Sequence, residues 1–212
     1  MEYRNVGNSG LKVSAVSIGG WVTVGGTIDD KVAHSILREA LEAGVNFIDL
    51  ADVYARGEAE RVAGTLIEQY KRSDLVISSK VYWPMSDDVN DRGLSRKHIM
   101  ESIDKSLKRL KLDYLDLYFC HRYDEETPLH ETVRAMDDLV RSGKILYWGT
   151  SCWTAEQLRD AHRIAKELGA HAPIVEQPRY NILDRHVEGP IMEACAETGM
   201  GLVVWSPLAQ GL

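Results

Sequence analysis

The feature that most constrains what this chain can fold into is a regular alternation of short apolar runs with longer amphipathic segments. Apolar runs bounded by turn residues predict strands over 13–18, 46–50, 75–79, 114–119, 145–150, 174–177 and 201–206. Apolar residues at helical spacing predict helices over 30–43, 59–70, 96–110, 129–142, 155–168 and 187–198. Ser95 and Thr154 stand at N-cap positions, and Gly44, Gly143, Gly169 and Gly199 follow the C-termini. Strands this apolar must be covered on both faces, and a helix after each strand implies a parallel sheet with right-handed crossovers. Ahead of the first repeat, residues 3–6, a turn at Gly7-Asn8-Ser9-Gly10 and the segment from Lys12 predict a small hairpin.

Such a sheet can be open and doubly wound or closed into a barrel. The first strand–helix junction, Gly19-Gly20-Trp21-Val22-Thr23-Val24-Gly25-Gly26, lacks the GxGxxG spacing that seats a pyrophosphate on a helix N-terminus. The barrel is therefore the better reading, with the hairpin plugging its lower mouth. No Gly/Ser linker or low-complexity stretch interrupts the chain, so residues 1–212 read as one domain. A (β/α)8 TIM barrel needs eight strands and about 250 residues, so seven strands and six helices predict a C-terminally incomplete barrel that lacks its last helix–strand–helix and belongs to a chain of more than about 300 residues.

Composition removes several functions. Twenty-five Lys and Arg against 32 Asp and Glu give a net charge of −7, which leaves no basic stripe for a phosphate backbone and excludes nucleic acid as the expected partner. The longest apolar runs, such as 201–205, fall far short of the roughly 18–20 residues that cross a bilayer, and the N-terminus lacks a charged-then-apolar signal pattern. The expected location is cytoplasmic, with no direct membrane insertion. Cys120, Cys152 and Cys195 are an odd number without a CxxC pair, which indicates neither a disulfide framework nor a structural zinc site.

In a βα barrel the chemistry lies at the C-terminal ends of the strands. Those ends carry Asp49, Asp52 and Tyr54, then Lys80, His121, Ser151, Gln177, and Trp205 with Ser206, each group one strand–helix unit from the next. Taken singly each has an ordinary structural reading: His121 a hydrogen-bonded histidine, Trp205 core, Gln177 a backbone-satisfying amide, Ser151 a helix cap. Together they read differently. A lysine at the end of an apolar strand is costly to bury without a partner, and Asp49 on the adjacent strand is that partner. A lysine beside a tyrosine favours phenolate, so Lys80 is expected to lower the Tyr54 pKa from about 10. That is acid–base equipment for a carbonyl. A metal-dependent barrel hydrolase would need an HxH at the first strand or several carboxylate and His ligands along the rim, where His121 is the one histidine, so no metal is expected. His34, His98, His130 and His162 fall on predicted helices at no metal spacing and read as surface residues.

The motifs Gly20-Trp21-Val22-Thr23-Val24-Gly25-Gly26, Asp49-x-Ala51-x-x-Tyr54, Arg92-Gly93-Leu94-Ser95-Arg96-Lys97-His98, Glu131-Thr132-Val133-Arg134-Ala135-Met136, Tyr147-Trp148-Gly149-Thr150-Ser151 and Trp205-Ser206-Pro207-Leu208-Ala209 are together very specific. Along essentially its whole length the chain resembles the aldo-keto reductases, and within them the voltage-gated potassium channel beta subunits and their bacterial relatives. The resemblance places the family's catalytic tetrad on Asp49, Tyr54, Lys80 and His121, and implies NADPH (or NADP) as cofactor, bound extended across the rim without a Rossmann domain. It implies that Trp205 stacks on the nicotinamide, that Ser151 and Gln177 hold its carboxamide, and that Ser206, Pro207, Leu208, Ala209 and Gln210 lie where the pyrophosphate is wrapped. Asp49, Trp21 and Thr27 would also contact the cofactor, while Trp21, Tyr54, Tyr82, Trp83 and His121 would line the site of a small carbonyl substrate. Tyr82 and Trp83 read equally as loop aromatics.

Two positions depart from relatives. His121 is the enzyme-type residue where mammalian channel subunits carry Asn, and Cys152, which the resemblance also places among the cofactor contacts, replaces the Asn or Arg that usually follows the serine, so its contact is expected to be less polar. The expected function is NADPH-dependent reduction of aldehydes or ketones. The alternative is a slowly turning nicotinamide-binding subunit that senses redox state for a potassium channel. The same resemblance suggests a homotetramer and a channel partner.

Overall fold

A computed structural model describes residues 1–211. Its first elements are two short antiparallel strands, β1 (Tyr3–Asn5) and β2 (Lys12–Ser14), paired Tyr3 with Ser14 and Asn5 with Lys12. The remaining strands form one parallel sheet in chain order: β3 (Ile18–Gly19), β4 (Phe47–Asp49), β5 (Val76–Val81), β6 (Leu115–Cys120), β7 (Ile145–Thr150), β8 (Val175–Glu176) and β9 (Gly201–Leu202). Helices α1 (Asp30–Glu42), α2 (Glu58–Ile67), α3 (Arg96–Leu110), α4 (Leu129–Arg141), α5 (Ala155–Leu168) and α6 (Pro190–Thr198) alternate with them. A parallel sheet in strict sequence order, curled with helices outside it, is seven strands of an eight-fold βα barrel, as the alternation predicts.

The helix ends follow from local chemistry. The Asp29 carboxylate accepts from the Lys31 N–H at 2.8 Å, Ser95 Oγ accepts from the His98 N–H, and Thr154 with Gln157 completes a capping box. The sixth helix starts at Pro190 rather than at 187, because proline is suited to the first helical position, where its missing N–H costs nothing.

Strand periodicity sorts the side chains into two cores. Val6 and Val13 of the hairpin pack with Phe47, Val76, Leu117, Phe119 and Val175, which fill the barrel interior. Ile48, Ile77, Tyr118, Cys120 and Trp148 pack outward against the helices. The hairpin thus closes the lower mouth, and its turn is tied to the C-terminal end of α6 by the Asn8 N–H donating to the Gly199 carbonyl at 2.8 Å.

Three expectations need correction. Segment 13–18 is not one barrel strand: Lys12–Ser14 belongs to the hairpin, and Ile18–Gly19 alone joins the sheet. The reason is Asn46, whose side chain accepts from the Ser14 N–H at 2.7 Å and donates to the Lys12 carbonyl, taking those backbone groups out of any ladder with β4. His98 is not a surface residue. It is fully buried in the first turn of α3, its Nδ1 is 2.8 Å from the Gly93 carbonyl, and burial lowers its pKa. His34 and His162 are half-buried, the former with Nε2 2.9 Å from the Val62 carbonyl, which leaves His130 as the exposed one of the four.

Gly149 in β7 shows how tightly the interior is filled next to the rim. A Cβ there would lie 2.5 Å from Val175 Cγ1, 2.7 Å from the Val175 carbonyl oxygen and 2.8 Å from Phe119 Cε1. Backbone on one side cannot retreat without breaking the β7–β8 pairing. Gly149→Ala is expected to destabilise the protein by about 1–3 kcal/mol, the usual range for overpacking, read as a lowered midpoint in urea with an unchanged slope.

Candidate active site

Alternation that points Phe47, Val76, Leu117 and Val175 into the barrel also points Asp49, Lys80, His121 and Gln177 inward, higher up the same strands. Register staggers them: Asp49 pairs with Ser78 and Lys80 with Phe119, so Lys80 stands two residues beyond the partner of Asp49, and His121 two residues beyond the partner of Lys80.

Lys80 is the centre of this cluster. Its side chain is wholly buried, and the ammonium donates to Asp49 Oδ2 at 2.7 Å, to the Leu50 carbonyl at 2.7 Å and to the Tyr54 hydroxyl oxygen at 3.2 Å. An ammonium has three N–H donors, so all of them are used and its position is fixed. Burial works against the charge, but Asp49 and Tyr54 outweigh it and raise the Lys80 pKa. The second Asp49 oxygen accepts from Ser78 Oγ at 2.6 Å.

Tyr54 differs from expectation in sign. Burial, the largest effect, raises its pKa, and the nearby Lys80 offsets this only in part, so the hydroxyl stays protonated. Because Lys80 occupies a lone pair of the Tyr54 oxygen, the hydroxyl proton is left to point at the cavity. The Tyr54 ring meets the His121 ring edge to face at 5.9 Å, and His121 meets Trp83 in the same manner at 6.3 Å. His121 is held neutral: burial first, then Lys80 and Arg122, push its pKa down to about 2. Its Nδ1 is buried without a partner among the described residues.

These groups open on a cavity of about 940 Å³. It extends from the rim down between the unpaired edges of β3 and β9 to the hairpin. Trp21, Asp49, Tyr54, Trp83, His121, Ser151, Gln177, Trp205, Ser206 and Pro207 line it. Other expected contacts do not. Tyr82 packs on Trp83 at 5.1 Å and against the outer core. Thr27 is exposed and donates to the Val22 carbonyl, Cys152 turns its sulfur to within 3.9 Å of the Gln177 carbonyl, and Leu208, Ala209 and Gln210 lie outside the cavity on the surface turn. Lys80 sits behind Tyr54 rather than in the cavity wall.

The rim is conformationally strained. Trp21, Tyr54, Ser151 and Trp205 are each followed directly by a non-glycine residue in the left-handed region: Val22 (φ 72°), Ala55 (48°), Cys152 (58°) and Ser206 (51°). Such positions cost on the order of 1–3 kcal/mol each and persist where surroundings impose them. At Cys152 the imposing group is Glu176. Its buried carboxylate accepts from Thr150 Oγ1 at 2.5 Å and from the Trp153 N–H at 3.2 Å, which clamps the turn that presents Ser151. Burial raises the Glu176 pKa to about 7 against those hydrogen bonds. Glu176 escaped the sequence reading because it points away from the cavity; a glutamate inside an apolar strand was its available signal.

Behind the tetrad, on the outer face, Glu60 is wholly buried and accepts from Arg109 Nε at 2.5 Å and from Ser79 Oγ at 2.6 Å. Asp52, wholly buried beside it, has no partner on either carboxylate oxygen among the described residues. Burial, then Glu60, raise its pKa from 3.8 to about 8.

Fold and site together define the class: the chain belongs to the aldo/keto reductase family, whose model matches residues 15–212. Two curated relatives carry the name "Probable voltage-gated potassium channel subunit beta". The protein of Oryza sativa subsp. japonica is 48% identical over 215 residues, and that of Arabidopsis thaliana is 50% identical over 215 residues. Each alignment covers 100% of this chain and 65% of the relative, so the chain spans about two thirds of their length.

Asp52 makes the fold sensitive to pH. Its native pKa of about 8 exceeds the unfolded value of 3.8, so the folded state holds a proton that the unfolded state releases, and stability falls as pH rises from about 4 to about 8. Asp52→Asn removes that titration. Thermal melts should find the variant more stable than the parent at pH 8.5, with the gap closing toward pH 5; a constant gap at both values contradicts a proton on Asp52.

Proposed function

We propose that this chain carries the catalytic machinery of an NADPH-dependent reductase of aldehydes or ketones. The observation that carries the reading is the saturated Lys80 ammonium, which leaves the Tyr54 hydroxyl proton as the one group of the tetrad free to be given to a ligand in the cavity.

The cavity suits a nicotinamide cofactor. Ser151 and Gln177 are polar groups on adjacent strands at its wall, suited to a carboxamide, and the Trp21 and Trp205 rings, 6.1 Å apart, offer apolar faces for an aromatic ring. Ser206 and Pro207 continue the wall toward the side expected for the phosphates. When bound, NADPH supplies the hydride. Tyr54 donates its proton to the carbonyl oxygen as charge develops there, and Lys80 stabilises the phenolate left behind by its 3.2 Å hydrogen bond. Asp49 keeps Lys80 charged and in place. His121, neutral across the physiological range, orients the carbonyl oxygen with a ring N–H. Trp21 and Trp83 form the apolar sides of the substrate site.

A second reading is favoured by the names of the plant relatives: a subunit that binds the same cofactor, turns over slowly and docks on a potassium channel as a homo-oligomer. Repeated turnover of a small aldehyde, followed by cofactor fluorescence, supports the enzyme, and a single slow oxidation per chain supports the sensor.

Tyr54→Phe tests the proton donor. Single-turnover hydride transfer should fall by at least about a hundredfold, the lower bound for a lost general acid, while NADPH binding changes little. Because burial holds Tyr54 protonated above its ordinary value of 10.0, the parent rate should be flat through neutrality and decline only in strongly alkaline solution. A variant that keeps most of its single-turnover rate overturns the assignment.

A further inference from the structure

Arg122 follows His121 at the end of β6 and lines the same cavity, yet no role above uses it. One of its terminal nitrogens donates to the His121 carbonyl and lies 3.4 Å from Ser151 Oγ, and its guanidinium rests 5.7 Å from the Trp83 ring centre. Those contacts hold the planar group at the mouth between Trp83, His121 and Ser151. They occupy few of its five N–H donors, and among the described residues no carboxylate pairs with it.

The charges around it are otherwise spent. Among the described residues Asp49 is the one acidic group in the cavity wall, and both of its oxygens are engaged, by Lys80 and Ser78. The Lys80 and Asp49 charges cancel at 2.7 Å, and His121 carries none. Arg4, also in the wall, lies at the hairpin end and pairs with Glu2 at 2.9 Å. Glu176 is the carboxylate that feels the Arg122 charge, but it is engaged by Thr150 and the Trp153 amide and burial raises its pKa to about 7, so among the described residues Arg122 keeps a positive charge with no ion-pair partner, on a chain whose net charge is −7. A half-buried guanidinium with free donors in a fixed fork matches a planar carboxylate, which it can hold with two parallel hydrogen bonds.

We infer that Arg122 is a specificity-determining residue of this site, and that the carbonyl compounds it takes carry a carboxylate in addition to the reacting aldehyde or ketone. Trp83, beneath the guanidinium, supplies the apolar surface for the segment that joins the two groups. This rests on the reductase reading of the cavity but deepens it, because that reading requires no charge on the substrate.

Two measurements separate the inference from its foundation. In the first, the full chain with NADPH reduces 4-carboxybenzaldehyde and its methyl ester, and the ratio of their kcat/KM values is followed in the parent and in Arg122→Gln. The acid-to-ester ratio should fall by about 10- to 100-fold, chiefly through KM for the acid, as expected for loss of a charge-assisted hydrogen bond. Arg122→Lys should recover part of it, and added salt should shrink the difference. An unchanged ratio overturns the inference, because a guanidinium that only braces the loop would affect both substrates alike.

In the second, benzoate and benzamide are titrated against tryptophan fluorescence without turnover. Benzoate should bind the parent more tightly than benzamide does, and Arg122→Gln should abolish that preference. Equal binding of the two by the parent, or a preference that survives in the variant, overturns the inference. A variant that weakens NADPH while leaving benzoate untouched assigns Arg122 to a cofactor phosphate and also overturns it. Were the parent to reduce neither aldehyde, the reductase reading would fall while the benzoate titration still decided the role of Arg122.

Discussion

The structure depends above all on the burial of one ammonium group. Removing a charge of this size from water costs several kcal/mol even after relaxation, so Lys80 can be fully buried only where its surroundings satisfy it completely. That requirement dictates much of what surrounds it. Asp49 must stand on the neighbouring strand at a register that brings carboxylate to ammonium, the Leu50 carbonyl must turn inward after β4 ends, and the third N–H must find an oxygen, which the turn after Ala51 supplies as Tyr54. The outcome is a tyrosine whose proton is directed by the donors behind it.

Strands β5 and β8 carry chemistry on one face and its support on the other. Inward residues form the cavity wall. Outward residues at the same level, Ser79 and Glu176, belong to buried polar networks with Glu60 and Arg109 or with Thr150 and the Trp153 amide. The Glu176 network holds the turn at Cys152 in a left-handed conformation that an isolated chain would leave. The position of Ser151 therefore depends on a glutamate that never meets the cavity, and the segment presenting Tyr54 lies beside the Asp52–Glu60 cluster.

Much of this was legible in the sequence, for identifiable reasons. A buried parallel strand must be almost wholly apolar, so the polar residues at its end stand out, and that contrast located Asp49, Lys80, His121, Ser151 and Gln177. Caps at Ser95 and Thr154 were legible because capping is a short-range interaction. Tyr82 and Trp83 were inseparable by sequence, since adjacent residues of a loop can face either way, and packing sent one to the core and the other to the cavity. His98 read as a surface residue because nothing in the helix pattern reveals that the preceding loop folds over it, with the Gly93 N–H donating to the Tyr82 carbonyl at 2.7 Å.

By itself the sequence determined the order of strands and helices, the barrel class and the inventory of reactive groups, because these follow from periodicity and from the cost of burying polar side chains. Only the tertiary structure decided how those groups behave. It set the direction of the Tyr54 pKa, in which burial outweighs the lysine; among the described residues it left Asp52 without a partner; and it placed Arg122 in the cavity wall with no carboxylate paired to it there. Each of these depends on desolvation and on distances between residues far apart in the chain, and neither exists until the strands have closed around them.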